Sequence, residues 1–270
     1  MEPKTGLDGR YDDLTARLKS AQSRIKEETL RGGEGLILAQ AYSDEVDSII
    51  SQMFAAACAT VGVNATGPAP PMAIVATGGY GRRELCLHSD IDITFIPAHE
   101  GDPVTDSIVK AMFSSLMRIT MDAAGMEVGY AYRLIGDCSS LDHQTVCGLL
   151  DARLIAGNPR VFLQFENELW PNINPADFIF AKLDERRTQR AAAGGTLRTV
   201  EPNIKTGPGG LRDLQAAIWL IQARDGIPAA GVRGEKCWEI LTRRGGTAPE
   251  DIGPLREAKE FLFRTRNALH

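Results

Sequence analysis

The sequence predicts an α+β fold, in which a small mixed β-sheet lies between an N-terminal helical arm and a C-terminal helical domain. Apolar residues recur at helical spacing near the N-terminus, and strand-like alternation replaces that spacing between about residues 72 and 134. From about Leu141 onward every strong apolar pattern is helical again. We therefore predict three parts, which are residues 1–66, 67–140 and 141–270.

Two helices and a linker are predicted in the N-terminal arm. Charged residues separate the apolar positions of the first helix, which is expected to end near Gly32 and Gly33. These apolar positions are Tyr11, Leu14, Leu18, Ala21 and Ile25. A second helix is predicted over about residues 35–60. Residues 63–71, rich in Gly and Pro, form the predicted linker.

The middle part is predicted to contain three strands. Residues 72–76 are a short apolar run bounded by Pro71 and Gly78, which suits a buried strand. Residues 90–95 (DIDITF) alternate in polarity, so this second strand has an apolar face and a carboxylate face. A helix with apolar positions from Ile108 to Ile119 follows, and residues 126–134 alternate again as a third strand.

Composition and charge limit the classes of function. The chain has 270 residues, of which 43% are hydrophobic and 24% charged, and this balance excludes wholesale disorder. Thirty basic and 35 acidic residues give a net charge of −5, so we predict no nucleic-acid partner. The five cysteines include no C-x-x-C pair, which favours reduced thiols and a cytoplasmic location.

Neither a membrane segment nor a zinc site is expected. Residues 48–81 carry no charge, but Asn64, Gly67 and three prolines interrupt the run, which never reaches the roughly 20 apolar residues that span a bilayer. The N-terminus lacks the basic start and apolar core of a signal peptide. The histidines at 88, 99, 143 and 270 share no spacing with acids or thiols.

A glycine-rich turn follows the first predicted strand. Residues 78–82 (GGYGR) let the backbone approach a ligand closely, and N–H groups at a helix start can bind phosphate. Arg82 adds a charge that can pair with a phosphate oxygen. The pattern is neither a P-loop nor the G-x-G-x-x-G dinucleotide fingerprint. Taken alone, it is explained more simply as a tight strand-to-helix connection.

Two aspartates follow this turn after a few residues. Asp90 and Asp92 are two positions apart on a predicted strand, so their side chains point the same way. Such carboxylates repel each other unless a cation lies between them, and Mg²⁺ is typically held by one or two carboxylates plus substrate phosphates. Alone, the pair would be read as a solvated strand edge. Directly after a phosphate-binding turn, it favours nucleotidyl transfer.

Two segments resemble a known family. Residues 78–92, with the pattern GGxGRxEL followed by SDID, resemble the nucleotidyltransferase signature of the DNA-polymerase-β-like superfamily. Residues 201–205 (EPNIK) and 207–213 (GPGGLRD) closely resemble the second signature of bacterial protein-PII uridylyltransferases. Residues 151–157 look like the family's helix between the two signatures, and residues 261–270 resemble its exit from the transferase region. The resemblance covers about residues 71–270.

The resemblance implies an activity and a set of site residues. Such enzymes move UMP from UTP to a tyrosine of the PII nitrogen-signalling protein, using Mg²⁺ and releasing pyrophosphate. By this likeness, Asp90 and Asp92 would hold the metal. The residues that would meet the triphosphate are Gly78, Gly79, Arg82 and Ser89.

A third carboxylate is expected by the same likeness, but its position aligns with Gly129. Glu127 lies on the same strand face two residues earlier, so it is the candidate substitute as a catalytic acid. The alternative is an exposed strand acid that pairs with Arg133. Whether one metal or two bind therefore stays open. For Glu84 a structural role, locking Arg82 or a backbone N–H, is preferred over a role as a metal ligand.

The second signature supplies further candidates for nucleotide binding. Lys205 and Arg212 flank a Gly-Pro-Gly-Gly turn and would bring positive charge to the phosphates. Asp213 is expected either to cap the following helix or to contact the base or ribose. The arginines at 186, 187 and 190 are expected on a solvated face, with an acidic partner loop as the alternative.

Other residues are expected to be structural. Cys86 lies inside the first signature but has no base beside it, and Cys237 is expected in a core helix. Phe178 and Phe180 are expected in the core.

The family's full-length enzymes continue into an HD phosphohydrolase domain and paired ACT domains, and no H…HD pattern occurs in this sequence. We therefore predict neither uridylyl-removing activity nor a glutamine response in this chain. The alternatives are a nucleotidyltransferase with another nucleotide or acceptor, and a nucleotide-binding regulatory module with a degraded site. A nucleic-acid polymerase of the same superfamily has the least support.

Overall fold

The computed structural model describes residues 6–63, 69–192 and 203–269. The strands are β1 Met72–Ala76, β2 Ile91–Pro97, β3 Val128–Tyr132 and β4 Arg153–Gly157. The helices of the first half are α1 Gly6–Leu30, α2 Gly35–Thr60, α3 Gly78–Gly81, α4 Pro103–Leu116 and α5 His143–Leu150. Those of the second half are α6 Pro159–Leu169, α7 Pro175–Ala192, α8 Leu211–Asp225, α9 Lys236–Arg243 and α10 Pro249–Leu269. The α+β prediction is confirmed.

The strands form a four-stranded mixed sheet in the order β3-β2-β1-β4. Strand β1 pairs antiparallel with β2 and β4, whereas β2 pairs parallel with β3 and places Asp92 opposite Gly129. All five residues of β1 are buried, as the apolar run predicts. In β2 the polar Thr94 is also buried, because this strand lies inside the sheet and is covered on both faces.

Strand β4 contradicts the expectation for residues 151–157. This segment was expected to be a helix, but Arg153–Gly157 is an edge strand paired with β1. The preceding helix ends at Leu150, and Gly157 adopts a φ of +92°, where an added Cβ would press on the carbonyl of Met72. The segment between the end of α5 and Gly157 is only a few residues long. It is too short for its sequence to show a helical period.

The N-terminal helices form one side of the main core. Both predicted helices are confirmed, and the apolar positions expected in α1 pack against α2 and the sheet. Arg17 of α1 also donates to Glu45 of α2 at 2.7 Å. Residues 64–68 of the predicted linker, with the boundary at 66/67, lie outside the described residues. All three predicted parts stay predictions.

The third predicted strand is confirmed as β3, but its exposure differs from the pattern. Tyr130 and Tyr132 are 58% and 41% exposed, because β3 is an edge strand and this face is only partly covered. Phe113 of α4 packs edge-on against Tyr130, with ring centroids 4.8 Å apart. After Leu116 the helical winding continues in a wider, π-helical form over Met117–Ala123.

Helix α10 crosses the start of α2. Gly35 makes this crossing possible, since a Cβ there would lie 2.6 Å from the carbonyl carbon of Phe263. Glu260 accepts hydrogen bonds from the N–H groups of Gly35 at 2.5 Å and Leu36 at 3.0 Å. These are first-turn N–H groups without acceptors inside α2, so Glu260 caps that helix from a distant part of the chain.

The aromatic and thiol predictions have mixed outcomes. Phe178 is buried as expected, but the core prediction for Phe180 is wrong, because it lies on the outer side of α7 and is 73% exposed. All five cysteines are unpaired and buried, Cys237 within α9 among them. Across residues 6–63, 69–192 and 203–269, none of the helices combines the length and apolar character needed to cross a bilayer.

Candidate active site

The glycine-rich turn of residues 78–82 folds as the short helix α3 directly after β1. Gly78 has a φ of +56°, a backbone conformation that favours glycine, and Gly81 lies directly against the backbone carbonyl of Asp151. The N–H of Thr77 donates to the carbonyl of Asp92 at 3.0 Å. This bond ties the turn to strand β2, so the glycines and the two aspartates are held next to each other.

Asp90 and Asp92 face this turn across a cavity of about 270 Å³. An added Cβ on Gly78 would lie 3.2 Å from Oδ2 of Asp92, which shows how closely the carboxylate approaches the turn. Neither aspartate forms an ion pair with an arginine or lysine in the described part of the chain. Burial, and then the charge of Asp90, raise the pKa of Asp92 to about 6. A cation between the two carboxylates would relieve this repulsion.

Arg82 is fixed in the cavity wall by two buried carboxylates. Its Nε donates to Oε2 of Glu84 at 2.6 Å, and its Nη1 pairs with Oδ2 of Asp151. Glu84 thus has the structural role expected for it, and its other oxygen accepts from Nζ of Lys259 at 2.7 Å. The indole N–H of Trp219 donates to Asp151 at 3.1 Å. The guanidinium therefore has a defined orientation before any ligand binds.

The two carboxylates beside Arg82 differ in their protonation behaviour. Burial alone would raise the pKa of Glu84, but the charges of Lys259 and Arg82 outweigh it and lower that pKa to about 2. For Asp151 burial dominates over Arg82 and the Trp219 hydrogen bond, and raises the pKa to about 6. Glu84 is therefore the firmly ionised partner of Arg82 at neutral pH.

Positive side chains also line the cavity. They are Lys205 and Arg212 of the second signature and Arg266 of α10. Burial, followed by the charges of Arg266 and Arg212, lowers the pKa of Lys205. Asn203 shapes the loop by accepting hydrogen bonds from the N–H groups of Lys205 at 3.0 Å and Thr206 at 2.9 Å. Glu201 and Pro202, the first two residues of the second signature, lie outside the described residues.

Asp213 lies outside this cavity and stabilises the neighbouring loop. It accepts from the N–H of Gly209 at 2.8 Å and pairs with Arg186 and, at 3.5 Å, with Arg190. The expectation of a solvated arginine face is wrong for Arg186, which is buried because it bridges α7 to the start of α8. Arg187 is exposed. The bonds of Asp213 are those of a structural residue at a helix start.

Glu127 also lies outside the cavity. Its side chain is exposed, and its backbone carbonyl accepts from the N–H of Ile91 at 2.9 Å. Gly129 lies beside Asp92 in the parallel register, and an added Cβ there would overlap Oδ1 of that aspartate. The sheet therefore has no space for a side chain at the position where the family resemblance places a third acid. Arg133, the alternative partner of Glu127, donates instead to Thr145 at 3.5 Å.

The donor set fits a magnesium ion that shares its coordination with a substrate. Within the described residues, no group of three or more His, Cys, Asp or Glu side chains is placed to hold a metal. Asp90 and Asp92 supply two hard oxygen ligands beside a cation-lined cavity, and Mg²⁺ is usually held by few carboxylates plus phosphates. His88 also lines this cavity, and among the described residues it belongs to no group of acids or thiols placed to hold zinc.

Comparison with known proteins points to one family. A family model described as GlnD PII-uridylyltransferase matches residues 177–270. The bifunctional uridylyltransferase/uridylyl-removing enzyme of Cereibacter sphaeroides is 30% identical over 287 residues, which cover 100% of this chain and 28% of the relative. Enzymes of the same description from Cupriavidus metallidurans and Methylococcus capsulatus are 34% and 33% identical over 74% and 75% of this chain. These matches confirm the resemblance to the protein-PII uridylyltransferases. The chain spans 28%, 22% and 22% of the lengths of these three relatives.

Several residues that line this cavity were not predicted from the sequence. Gln144, Cys147 and Gly148 of α5 line it, as do Gln215 and Trp219 of α8. The apolar period of α8 predicts a buried face, and Trp219 belongs to that face, but its indole N–H binds a site carboxylate. Arg266 lies in a segment where only the family resemblance suggested proximity to the transferase region. Long-range packing, not a local pattern, brings these side chains to the cavity.

Proposed function

We propose that this chain transfers UMP from UTP to a tyrosine of the PII nitrogen-signalling protein, with Mg²⁺ as cofactor and pyrophosphate as product. The observation that carries the proposal is a single cavity lined by Asp90 and Asp92, by Gly78 close to Asp92, and by Lys205 and Arg212. The names of the relatives support uridylyl transfer as the chemistry.

Each part of the cavity has a role in this proposal. Asp90 and Asp92 would hold Mg²⁺, which when bound supplies positive charge to the phosphate oxygens and to the leaving pyrophosphate. Lys205 and Arg212 bind the polyphosphate and keep it beside the two carboxylates. Because Arg82 is held by Glu84 and Asp151, it presents its guanidinium without reorganisation during the reaction.

The backbone of the turn and one hydroxyl have positioning roles. The first N–H groups of α3, at Gly78 and Gly79, have no acceptor within that helix, and the proposal assigns them to phosphate oxygens. Ser89 Oγ accepts from the N–H of Cys86 at 3.1 Å, so its hydroxyl has a fixed place in the wall. Glu127 and Asp213 stay predictions as catalytic and nucleotide-binding residues, and both require a rearrangement to reach the cavity.

The test is a transfer assay with labelled UTP, Mg²⁺ and PII. We expect label on PII with the unsubstituted chain and at least a 100-fold loss in Asp90→Asn and Asp92→Asn, because each removes one of two charged ligands. Asp184→Asn, an exposed acid on α7, is the matched control and is expected to keep full activity. Transfer that survives in the Asp90→Asn, Asp92→Asn double variant would contradict the proposal.

The same assay addresses substrate and acceptor. Labelled ATP, GTP and CTP test the preference for the uracil base, and a PII variant with phenylalanine at the modified tyrosine tests the acceptor atom. Incubation of uridylylated PII with the chain tests the predicted lack of uridylyl-removing activity. Transfer of another nucleotide would favour a related nucleotidyltransferase with a different substrate.

A second candidate function is a nucleotide-binding module without turnover. Gly129 favours it, because the close approach of Asp92 leaves no space for a third carboxylate at that position. Saturable UTP binding in the presence of Mg²⁺, with no label transferred to PII or to water, would support the module and exclude the enzyme.

A further inference from the structure

Arg266 enters the candidate active site from the last helix of the chain. It lies on α10, and its Nη2 donates to Oγ of Ser89 at 3.1 Å, across 177 positions of sequence. The same hydroxyl accepts from the backbone N–H of Cys86 at 3.1 Å. Arg266 thus belongs to the cavity wall although it is outside both signature motifs.

The charge of Arg266 is not neutralised within the described part of the protein. Its guanidinium forms no ion pair with a described carboxylate, and the same is true of Lys205 and Arg212 on the same wall. Arg266 is the charged neighbour that most strongly disfavours protonation of Lys205. Two half-buried arginines and the exposed Lys205, none of them in an ion pair with a described carboxylate, line one cavity and form a site for a polyvalent anion.

The helix that carries Arg266 is anchored at several points. Lys259, two turns earlier, donates to buried Glu84 at 2.7 Å. Glu260 caps α2, and Asn267 donates to the carbonyl of Gly35 at 3.2 Å. Because these bonds fix α10 before and after Arg266, and Arg266 itself donates to Ser89, the guanidinium has a defined place and little conformational freedom to lose on binding.

We propose that Arg266 binds the polyphosphate of the nucleoside triphosphate directly and is a further nucleotide-binding residue of this site. The inference rests on the proposed function, because it assigns a role within the same cavity. The ligand class follows from the chemistry of the wall, since a planar guanidinium beside a lysine and a second arginine suits adjacent phosphate groups. Arg266 contacts the ligand, while Ser89 helps to orient it.

The test compares charge-removing and charge-keeping variants in equilibrium binding of UTP with Mg²⁺. Arg266→Gln keeps a donor for Ser89 but loses the charge, and a charged hydrogen bond is worth about 10- to 100-fold in affinity. We expect that loss for UTP, a smaller loss for UMP, and partial recovery in Arg266→Lys. Arg264→Gln is the matched control, because this exposed arginine on the same helix lies outside the cavity.

A double-substitution cycle separates ligand contact from a purely structural role. If Arg266 binds phosphate, its replacement still weakens UTP binding by about 10-fold in a Ser89→Ala background. An effect that disappears in that background would mean that Arg266 only positions Ser89, and the inference would be wrong. If Arg266→Gln binds UTP within 2-fold of the affinity of the unsubstituted chain, the inference about Arg266 is wrong, while the proposed function is unaffected. Absence of UTP binding by the unsubstituted chain overturns the proposed function with it.

Thermal unfolding of each variant checks the fold. An unchanged melting temperature in Arg266→Gln, together with the expected loss of UTP affinity, assigns that loss to the cavity. If the melting temperature of Arg266→Gln falls, the UTP affinities of Arg266→Lys and Arg264→Gln are compared to decide whether Arg266 binds the ligand. UTP affinity in Arg266→Lys nearer to the control than to Arg266→Gln supports the inference, and equal losses in the two Arg266 variants overturn it.

Discussion

Substitution of Gly129 by alanine tests the geometry of the carboxylate pair most sharply. Strands β2 and β3 place this glycine opposite Asp92, and an added Cβ would overlap Oδ1 and lie 3.5 Å from Cγ. Ordinary contacts begin at 3.4 Å, so the carboxylate oxygen must move by about 1 Å.

The expected consequence is a loss of transfer rate at nearly unchanged stability. A displacement of about 1 Å in a group that positions a substrate can reduce the rate by about 100-fold. Gly129 lies in an edge strand, where glycine-to-alanine replacement changes the free energy of unfolding by about 1 kcal/mol or less. Steady-state transfer from labelled UTP to PII and urea unfolding at pH 7 measure the two quantities.

Gly136→Ala is the control for this experiment. Gly136 has a φ outside the left-handed region, and an added Cβ there meets no described atom within 4 Å. It is expected to leave both the rate and the stability unchanged. Full transfer activity in Gly129→Ala would show that the position of Asp92 is unimportant for the reaction, and the reasoning about the carboxylate pair would be refuted.

Three further predictions concern the stability of the packing around the cavity. Lys259→Met leaves buried Glu84 with Arg82 as its remaining cation and is expected to lower the free energy of unfolding by about 3 kcal/mol in urea; a loss below about 1 kcal/mol contradicts the assigned ion pair. Gly35→Ala forces α2 away from α10, which costs about 2 kcal/mol of strain and is expected to lower the melting temperature by several degrees. An unchanged melting temperature would contradict the close crossing of the two helices. The pKa of Glu84 is lowered from 4.5 to about 2, so its contribution to stability is fully present above about pH 4.5 and is lost as the pH falls towards 2. The difference in unfolding free energy between the unsubstituted chain and Glu84→Gln should therefore shrink from about pH 6 to about pH 3, and a constant difference argues against an ionised Glu84.

The sequence predicted the parts of the site that depend on local geometry. Residues 78–92 form a turn and a strand start that follow each other closely, so local spacing alone places Gly78 near Asp92. Helices α1 and α2 were predictable for a similar reason, because their apolar positions repeat over many turns. In both cases the information lies within a short stretch of chain.

The remaining features depend on contacts between distant segments. Strand β4 has only five residues, and its pairing with β1 decides its conformation. Arg186 is buried because Asp213, 27 positions later, lies within its reach. Arg266 reaches the cavity because α10 packs on α2 through Gly35. No local period or spacing encodes such contacts, so a single sequence does not predict them.

A crystal structure with Mg²⁺ and a UTP analogue that cannot be cleaved between its α- and β-phosphates tests the central claim most directly. The account predicts a cation bound by the carboxylates of Asp90 and Asp92, and a triphosphate that contacts the turn at Gly78 and the side chains of Lys205 and Arg212. A nucleotide bound elsewhere on the protein, or a cation that touches neither aspartate, would contradict it.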